Sequence, residues 1–234
     1  NLYPIFNSEL VANKMKSCII IANGDKPSKQ NINFLMKNGI DTIIAADGGA
    51  NSCFRLGILP NYIIGDFDSI EPEIFSYFQS RTKLVKYTRQ NDTDVEKALK
   101  FALKKKFKTV YLLGATGDRL DHTICNLGIV IKFFPKIRII IIHGKTILFP
   151  CLEDVKIMTT PGEMISLYAF NPNTRITSNG LKYCLHNTPL TFGEKESTSN
   201  VAIGDKVMLK ISGGIVFVIR EFNKVKKDDL IFNS

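Results

Sequence analysis

The chain has 234 residues, 44% of them hydrophobic and 23% charged, which is the balance of an ordinary water-exposed globular protein large enough for one sizeable core or two smaller ones. Its 31 Lys and Arg against 22 acids leave a net charge of +9, yet the basic residues are scattered except at 104–108 and 224–227 and accompany no nucleic-acid motif, so the charge suits an anionic small substrate better than a nucleic acid. No stretch reaches the roughly 18 apolar residues of a membrane span, and the apolar run at 136–149 reads as a buried strand. The five cysteines (18, 53, 125, 151 and 184) include no CxxC pair, and their mostly apolar surroundings read as reduced thiols of a cytoplasmic protein. A removed leader ahead of Asn1 is left open.

In chain order, residues 1–16 read as a loose lead-in. Ser17–Asn23 is a short continuous apolar run that ends in Gly24-Asp25, as a buried parallel strand does. Ser28 is placed to cap a helix that Gly39 stops. Thr42–Ala46 predicts a second strand, followed by Asp47-Gly48-Gly49-Ala50-Asn51 and a helix that Gly57 ends. Tyr62–Ile64 predicts a third strand running into Gly65-Asp66-Phe67-Asp68-Ser69, and Pro72 opens the next helix. Leu84–Tyr87 predicts a strand, and Asp92–Lys106 a helix with the apolar face Val95, Ala98, Leu99, Ala102 and Leu103. Thr109–Leu113 enters Gly114-Ala115-Thr116-Gly117, Leu120–Phe133 is helical, and Ile137–Ile142 is a sixth strand.

This alternation predicts a Rossmann-like α/β domain over residues 1–145, a parallel sheet with flanking helices. In such sheets ligands lie beyond the carboxyl ends of the strands, so Asp25, Asp47, Asp66, Asp68 and Gly114–Asp121 gather on one rim. After about Thr146 no helical period survives. Short β-branched and aromatic runs (155–158, 164–170, 175–177, 181–184, 206–211 and 215–220) alternate with Pro-Gly, Asn-Gly and Gly-Gly turns, which predicts a β-sandwich over 146–234.

If the third strand continued through Asp68, alternation would turn Asp66 and Asp68 to one side and Phe67 to the other. Two carboxylates that close repel unless a cation sits between them, and Mg²⁺ takes such oxygen ligands. In Gln90-Asn91-Asp92-Thr93-Asp94 any of Asn91, Asp92 or Thr93 suits a helix cap, and Asp94 is the best third carboxylate for the metal. Asp47 suits a ribose hydroxyl or a metal-bound water, and Gly48 and Gly49 allow close backbone approach at a helix start that favours phosphate. Arg119 suits phosphate, with Asp121 orienting it or accepting from the nucleotide. His122 reads as a hydrogen-bonding neighbour, Ser197–Asn200 as a polar turn, and Tyr183 as core or a stacking surface.

These motifs, Asp47–Asn51, Gly65–Ser69, Gln90 with Thr93-Asp94, Gly114–Asp121, Gly180–Tyr183 and Ser197–Asn200, follow one another in the order found in thiamine pyrophosphokinases, which the chain resembles from about residue 18 to 220. The resemblance implies transfer of the diphosphate of ATP to the thiamine hydroxyl, giving thiamine diphosphate and AMP. It implies Mg²⁺ on Asp66, Asp68 and Asp94, with catalysis by these and Arg119. ATP contacts are implied at Asp47, Gly48, Asn51, Gly114, Thr116, Gly117, Arg119 and Asp121. A thiamine pocket is implied at Gln90, Tyr183, Ser199 and Asn200, where Tyr183 stands in place of the Trp of relatives. It also implies a homodimer whose active sites lie at the subunit interface. The competing readings are a metal-dependent nucleotide hydrolase and a non-catalytic binding regulator.

Overall fold

The computed structural model describes residues 16–87 and 91–222, and they fall into two compact units divided between Gly144 and Lys145. Gln90 and the basic run at 224–227 lie outside the described residues.

The first unit runs β1 (Ser17–Ile21), α1 (Lys29–Lys37), β2 (Ile43–Ala46), α2 (Gly49–Leu56), β3 (Tyr62–Gly65), α3 (Pro72–Phe78), β4 (Lys83–Lys86), α4 (Asp94–Lys104), β5 (Thr109–Leu113), α5 (Leu120–Phe133) and β6 (Arg138–His143). Its six strands are all parallel, in the order β6-β5-β1-β2-β3-β4. The inner strands carry continuous isoleucine runs because both of their faces are covered, and Ile19, Ile20, Ile21, Ile44, Ile63 and Ile64 are fully buried. Ser28 caps α1 by accepting from the Asn31 amide, and Gly57 closes α2 in the left-handed region at φ 65°. Of the three candidate caps for α4, Thr93 is the one used. Its hydroxyl accepts from the Glu96 amide while Glu96 accepts from the Thr93 amide, a reciprocal capping box.

The second unit is all β: β7 (Thr146–Cys151), β8 (Val155–Met158), β9 (Met164–Ala169), β10 (Arg175–Asn179), β11 (Thr188–Pro189), β12 (Ser197–Val201), β13 (Lys206–Ser212) and β14 (Val216–Glu221). They form two antiparallel layers, β12-β9-β14-β7 and β11-β10-β13-β8. Strict alternation of buried and exposed positions along β13 shows one face on the core and one in solvent. Within that core Arg220 and Glu163, both almost fully buried, form a bidentate pair at 2.6 and 3.1 Å, and Arg220 also donates to the Met158 carbonyl.

The structure differs from the sequence expectation at two segments. The run at 181–184 is not a strand, since only an isolated bridge joins Leu181 to Ala202. Ser197–Asn200 is not a turn but part of β12, with a register shift between Ser197 and Asn200. A polar sequence can pair as an edge strand because the ladder uses backbone groups and needs apolar side chains only where a face is buried. No described helix is long and apolar enough to cross a membrane. None of the five cysteines is in a disulfide; Cys18, Cys53 and Cys151 are buried, and burial pushes the Cys18 and Cys53 thiols up to about 12.

Candidate active site

In the first unit the strand order reverses between β1 and β5, which is where a parallel sheet opens a crevice beyond its carboxyl ends. A cavity of about 410 Å³ lies there. Its wall includes Asn23 and Gly24 after β1, Asp66, Asp68 and Ser69 after β3, Thr93, Asp94 and Lys97 at the start of α4, and Gly114–Arg119 after β5.

The chain builds the acidic side of the cavity by a turn rather than by an extended strand. β3 ends at Gly65, and Phe67 takes a left-handed φ of 74°, so Asp66 and Asp68 are not strand neighbours of one face as alternation would have made them. Asp47 holds this turn. Its carboxylate, 1% exposed at the end of β2, accepts from the Phe67 amide (2.8 Å) and the Ser69 amide (3.1 Å). A Cβ on Gly65 would stand 2.5 Å from Asp47 Oδ1, so only glycine lets the two connections come this close. Burial, then the charge of Asp94, push the Asp47 carboxyl up, against the hydrogen bonds from Ser69 and Phe67 that pull it down. One oxygen each of Asp47, Asp66 and Asp68 falls within a 4.8 Å cluster.

Asp94 does not belong to that cluster of three; it is tied to it through Lys97. The Lys97 ammonium donates to Asp94 Oδ1 at 2.8 Å and to Asp66 Oδ2 at 3.1 Å. The hydrogen bond from Lys97 holds the Asp66 carboxyl below its ordinary range. Burial works against charge on Lys97, but the hydrogen bonds to Asp94 and Asp66 outweigh it and hold the ammonium above its ordinary value. The sequence reading does not single out Lys97. Its one signal is a lysine three residues after Asp94 on the helix face that also carries buried residues, and such i,i+3 pairs are common on helices.

Opposite this wall, the glycine-rich loops after β1 and β5 are joined by backbone hydrogen bonds, Gly24 to the Gly114 carbonyl (2.6 Å) and Asp25 to the Thr116 carbonyl (3.1 Å). Asp25 also accepts from the Asp118 amide, and Asn126 donates to the Ala115 carbonyl from α5. The loop is thus held from both sides. Arg119 projects into solvent at the cavity rim and pairs with both oxygens of Asp121 (2.5 and 3.2 Å), so Asp121 orients Arg119 while itself standing outside the cavity wall. That pairing holds Asp121 below and Arg119 above their ordinary values. His122 lines the cavity, and Thr116 is hydrogen-bonded to His143 at 2.8 Å.

Gly48 and Asn51 do not line it. Asn51 is buried and bridges the next connection, donating to the Ser69 carbonyl and accepting from the Glu71 amide.

In the second unit the expected pocket residues divide. Tyr183 is 64% exposed, and its ring carries the Lys182 ammonium at 5.5 Å. Ser199 is exposed, with φ 53° and its amide on Ser166 Oγ. Asn200 is buried, and its amide group is spent inside the protein. The side chain accepts from the Tyr183 and Val201 amides and donates to the Tyr183 carbonyl and Ser197 Oγ. It fixes the backbone that presents Tyr183.

A parallel α/β unit with an acidic, glycine-lined crevice at its switch point, followed by a β-sandwich, places the chain in the α/β plus all-β class with a candidate site in its first unit. Residues 35–141 match the family described as thiamin pyrophosphokinase, catalytic domain, and residues 152–216 match thiamin pyrophosphokinase, vitamin B1 binding domain. Similar proteins include thiamin pyrophosphokinase 1 of Caenorhabditis elegans, 28% identical over 94% of this chain and 96% of its own. Thiamine pyrophosphokinase of Bacillus subtilis is 31% identical over 76% of this chain and 86% of its own. The crystal structure of a Bacillus subtilis thiamine pyrophosphokinase superposes with a TM-score of 0.77 at 25% identity, covering 88% of this chain and 99% of that one. That of Candida albicans thiamin pyrophosphokinase superposes at 0.76 and 23% identity, over 88% of each chain, and shares the fold. The chain belongs to the thiamin pyrophosphokinase family.

Proposed function

We propose that the protein transfers the diphosphate of ATP to the hydroxyl of thiamine, releasing AMP. The observation that carries this reading is the acidic, glycine-lined crevice at the switch point of the first unit, in a chain whose second part matches a vitamin B1 binding domain. The oxygen-only donor set of Asp66 and Asp68, with Asp94 one lysine away, fits a hard divalent cation such as Mg²⁺ and does not fit a softer metal. When bound, that cation would offset the phosphate charge.

The chain's own residues do the rest. Transfer of this kind needs alignment and charge balance more than covalent help. The tethered loop Gly114–Gly117 suits the nucleotide because two of its glycines adopt positive φ, a backbone conformation found in phosphate-binding loops. Arg119, held by Asp121, supplies a guanidinium for charge that builds on the transferring group. Asp47 acts at one remove by fixing the turn that carries Asp66 and Asp68. Asp94 or Asp68 would take the proton of the attacking hydroxyl.

For thiamine, the exposed ring of Tyr183 offers a face to a cationic heterocycle, with Ser199 beside the same strand edge and Asn200 holding the segment. Gln90, assigned to this pocket by resemblance, lies outside the described residues. A homodimer whose active sites lie at the subunit interface belongs to the same reading, as does a cytoplasmic location, which five cysteines without a disulfide support.

The test is release of AMP from ATP and Mg²⁺ with and without thiamine, with the thiamine product followed by mass. AMP and thiamine diphosphate appearing together, and only with thiamine, is the expected result. AMP or ADP without thiamine would instead mark a hydrolase. Asp68→Asn is expected to lower turnover by at least about 100-fold with an unchanged circular dichroism spectrum. Full activity in that folded variant would remove Asp68 from the machinery.

A further inference from the structure

A lysine is seldom buried unless its charge is paired. Lys97 is 4% exposed, yet its ammonium reaches the wall of the acidic cavity. There it spans Asp66, from the connection after β3, and Asp94, from the first turn of α4. An ammonium has three N–H donors, and two are engaged by these carboxylates. The chain therefore carries a fixed positive charge between two of the groups read above as metal ligands.

We propose that Lys97 is a specificity-determining residue: its ammonium, held between Asp66 and Asp94, makes the acidic site take a divalent cation as its nucleotide complex and discriminate against the free ion. The inference rests on the reading of Asp66, Asp68 and Asp94 as the metal site.

The discrimination follows from the sign of the Lys97 charge. A free divalent ion entering the cluster meets a like charge a few ångströms away and finds two carboxylates already partly neutralised. Because the stem of Lys97 is buried, the ammonium has little freedom to retreat into water, so the repulsion is weakly screened. A cation carried on a nucleotide triphosphate arrives in a complex of net negative charge. Its phosphate oxygens give the third N–H of Lys97 an acceptor, and the same ammonium that repels the bare ion attracts the complex. Asp47 and Asp68 supply the remaining acidic charge of the cluster. Arg119 also faces the cavity, but it is paired with Asp121 and exposed, so its field is shared with solvent.

Mn²⁺ serves as the probe, with free ion counted by electron paramagnetic resonance on the full chain, with and without α,β-methylene-ATP. Wild type is expected to bind Mn²⁺ weakly alone and at least about tenfold more tightly with the nucleotide analogue. Lys97→Met is expected to reverse the preference, binding free Mn²⁺ about tenfold more tightly than wild type and the Mn²⁺–analogue complex about tenfold more weakly. Lys97→Arg, which keeps the charge, is expected to retain the wild-type order. In turnover, Lys97→Met should raise KM for the metal–nucleotide complex more than it lowers kcat. Weaker binding of free Mn²⁺ by folded Lys97→Met would overturn the proposal and make Lys97 a staple that holds the acids in place. Equal affinity of wild type for the ion with and without the analogue would also overturn it, and needs no variant to fold. Absence of Mn²⁺ binding to wild type in both conditions would remove the metal reading itself, and this inference with it.

Discussion

Asp66 and Lys97 stabilise each other's charged form, and the consequence for the metal-free protein has a definite sign. Asp66 titrates below its ordinary value of 3.8 because Lys97 donates to it. Its share of stability is therefore present above 3.8 and lost as pH falls through the lower folded value. Lys97 titrates above its ordinary 10.5, so its share is present below 10.5 and lost as pH rises through the higher folded value. The melting temperature of wild type relative to Asp66→Asn is thus expected to stay level from neutral pH down to about 4 and to converge below it. A gap that widens in acid would contradict the pairing. Because Asp66 is over a third exposed, the gap itself is modest. The individual carboxylates were legible in the sequence as residues at strand ends. Their partners were not, since Asp47 reaches Phe67 and Ser69 across some 20 positions and Lys97 reaches Asp66 across 31.

At the scale of elements, local signals did most of the work where the chemistry is local. Ser28, Gly57 and Pro72 mark helix ends because caps, left-handed glycines and first-turn prolines act within a few residues. The capping box of α4 carries Asp94 and Lys97 on its first turns, so Thr93→Ala is expected to cost about 1 kcal/mol in urea unfolding and to weaken metal–nucleotide binding together with stability. A loss of binding with no loss of stability would mean that Thr93 acts on the ligand directly. In the sandwich, Arg220 and Glu163 are a buried ion pair 57 positions apart. Removing one member leaves the other charged and dry, so Glu163→Ala should destabilise the fold by about 3–5 kcal/mol, read from the denaturation midpoint. A change under 1 kcal/mol would mean that water reaches Arg220. β12 departs from the local pattern for a related reason. Pairing of a polar edge depends on Leu167 and Ile165 of β9, which no window around Ser197 contains.

For the molecule as a whole, the parallel unit was legible because its strands are continuous apolar runs and its helices have a clear period. The sandwich was legible only in outline, through turns and alternation. The interface placement of the active site came from resemblance, and mixing two inactive variants tests it. Asp68→Asn damages the first unit and Tyr183→Ala the second. If each site joins the first unit of one subunit to the second unit of its partner, mixed dimers hold one undamaged site and recover activity that neither parent shows. If each subunit is self-sufficient, the mixture stays as inactive as its components.

The described strands have one further property, their colinearity with the two units. Every strand of the parallel sheet precedes Gly144 and every strand of the sandwich follows it. A single genetic crossover at that junction would pass on the whole segment that matches the catalytic domain while replacing the segment that matches the vitamin B1 binding domain. No described strand would be cut, because none spans the exchange point. Either half is therefore inheritable as one contiguous stretch of coding sequence.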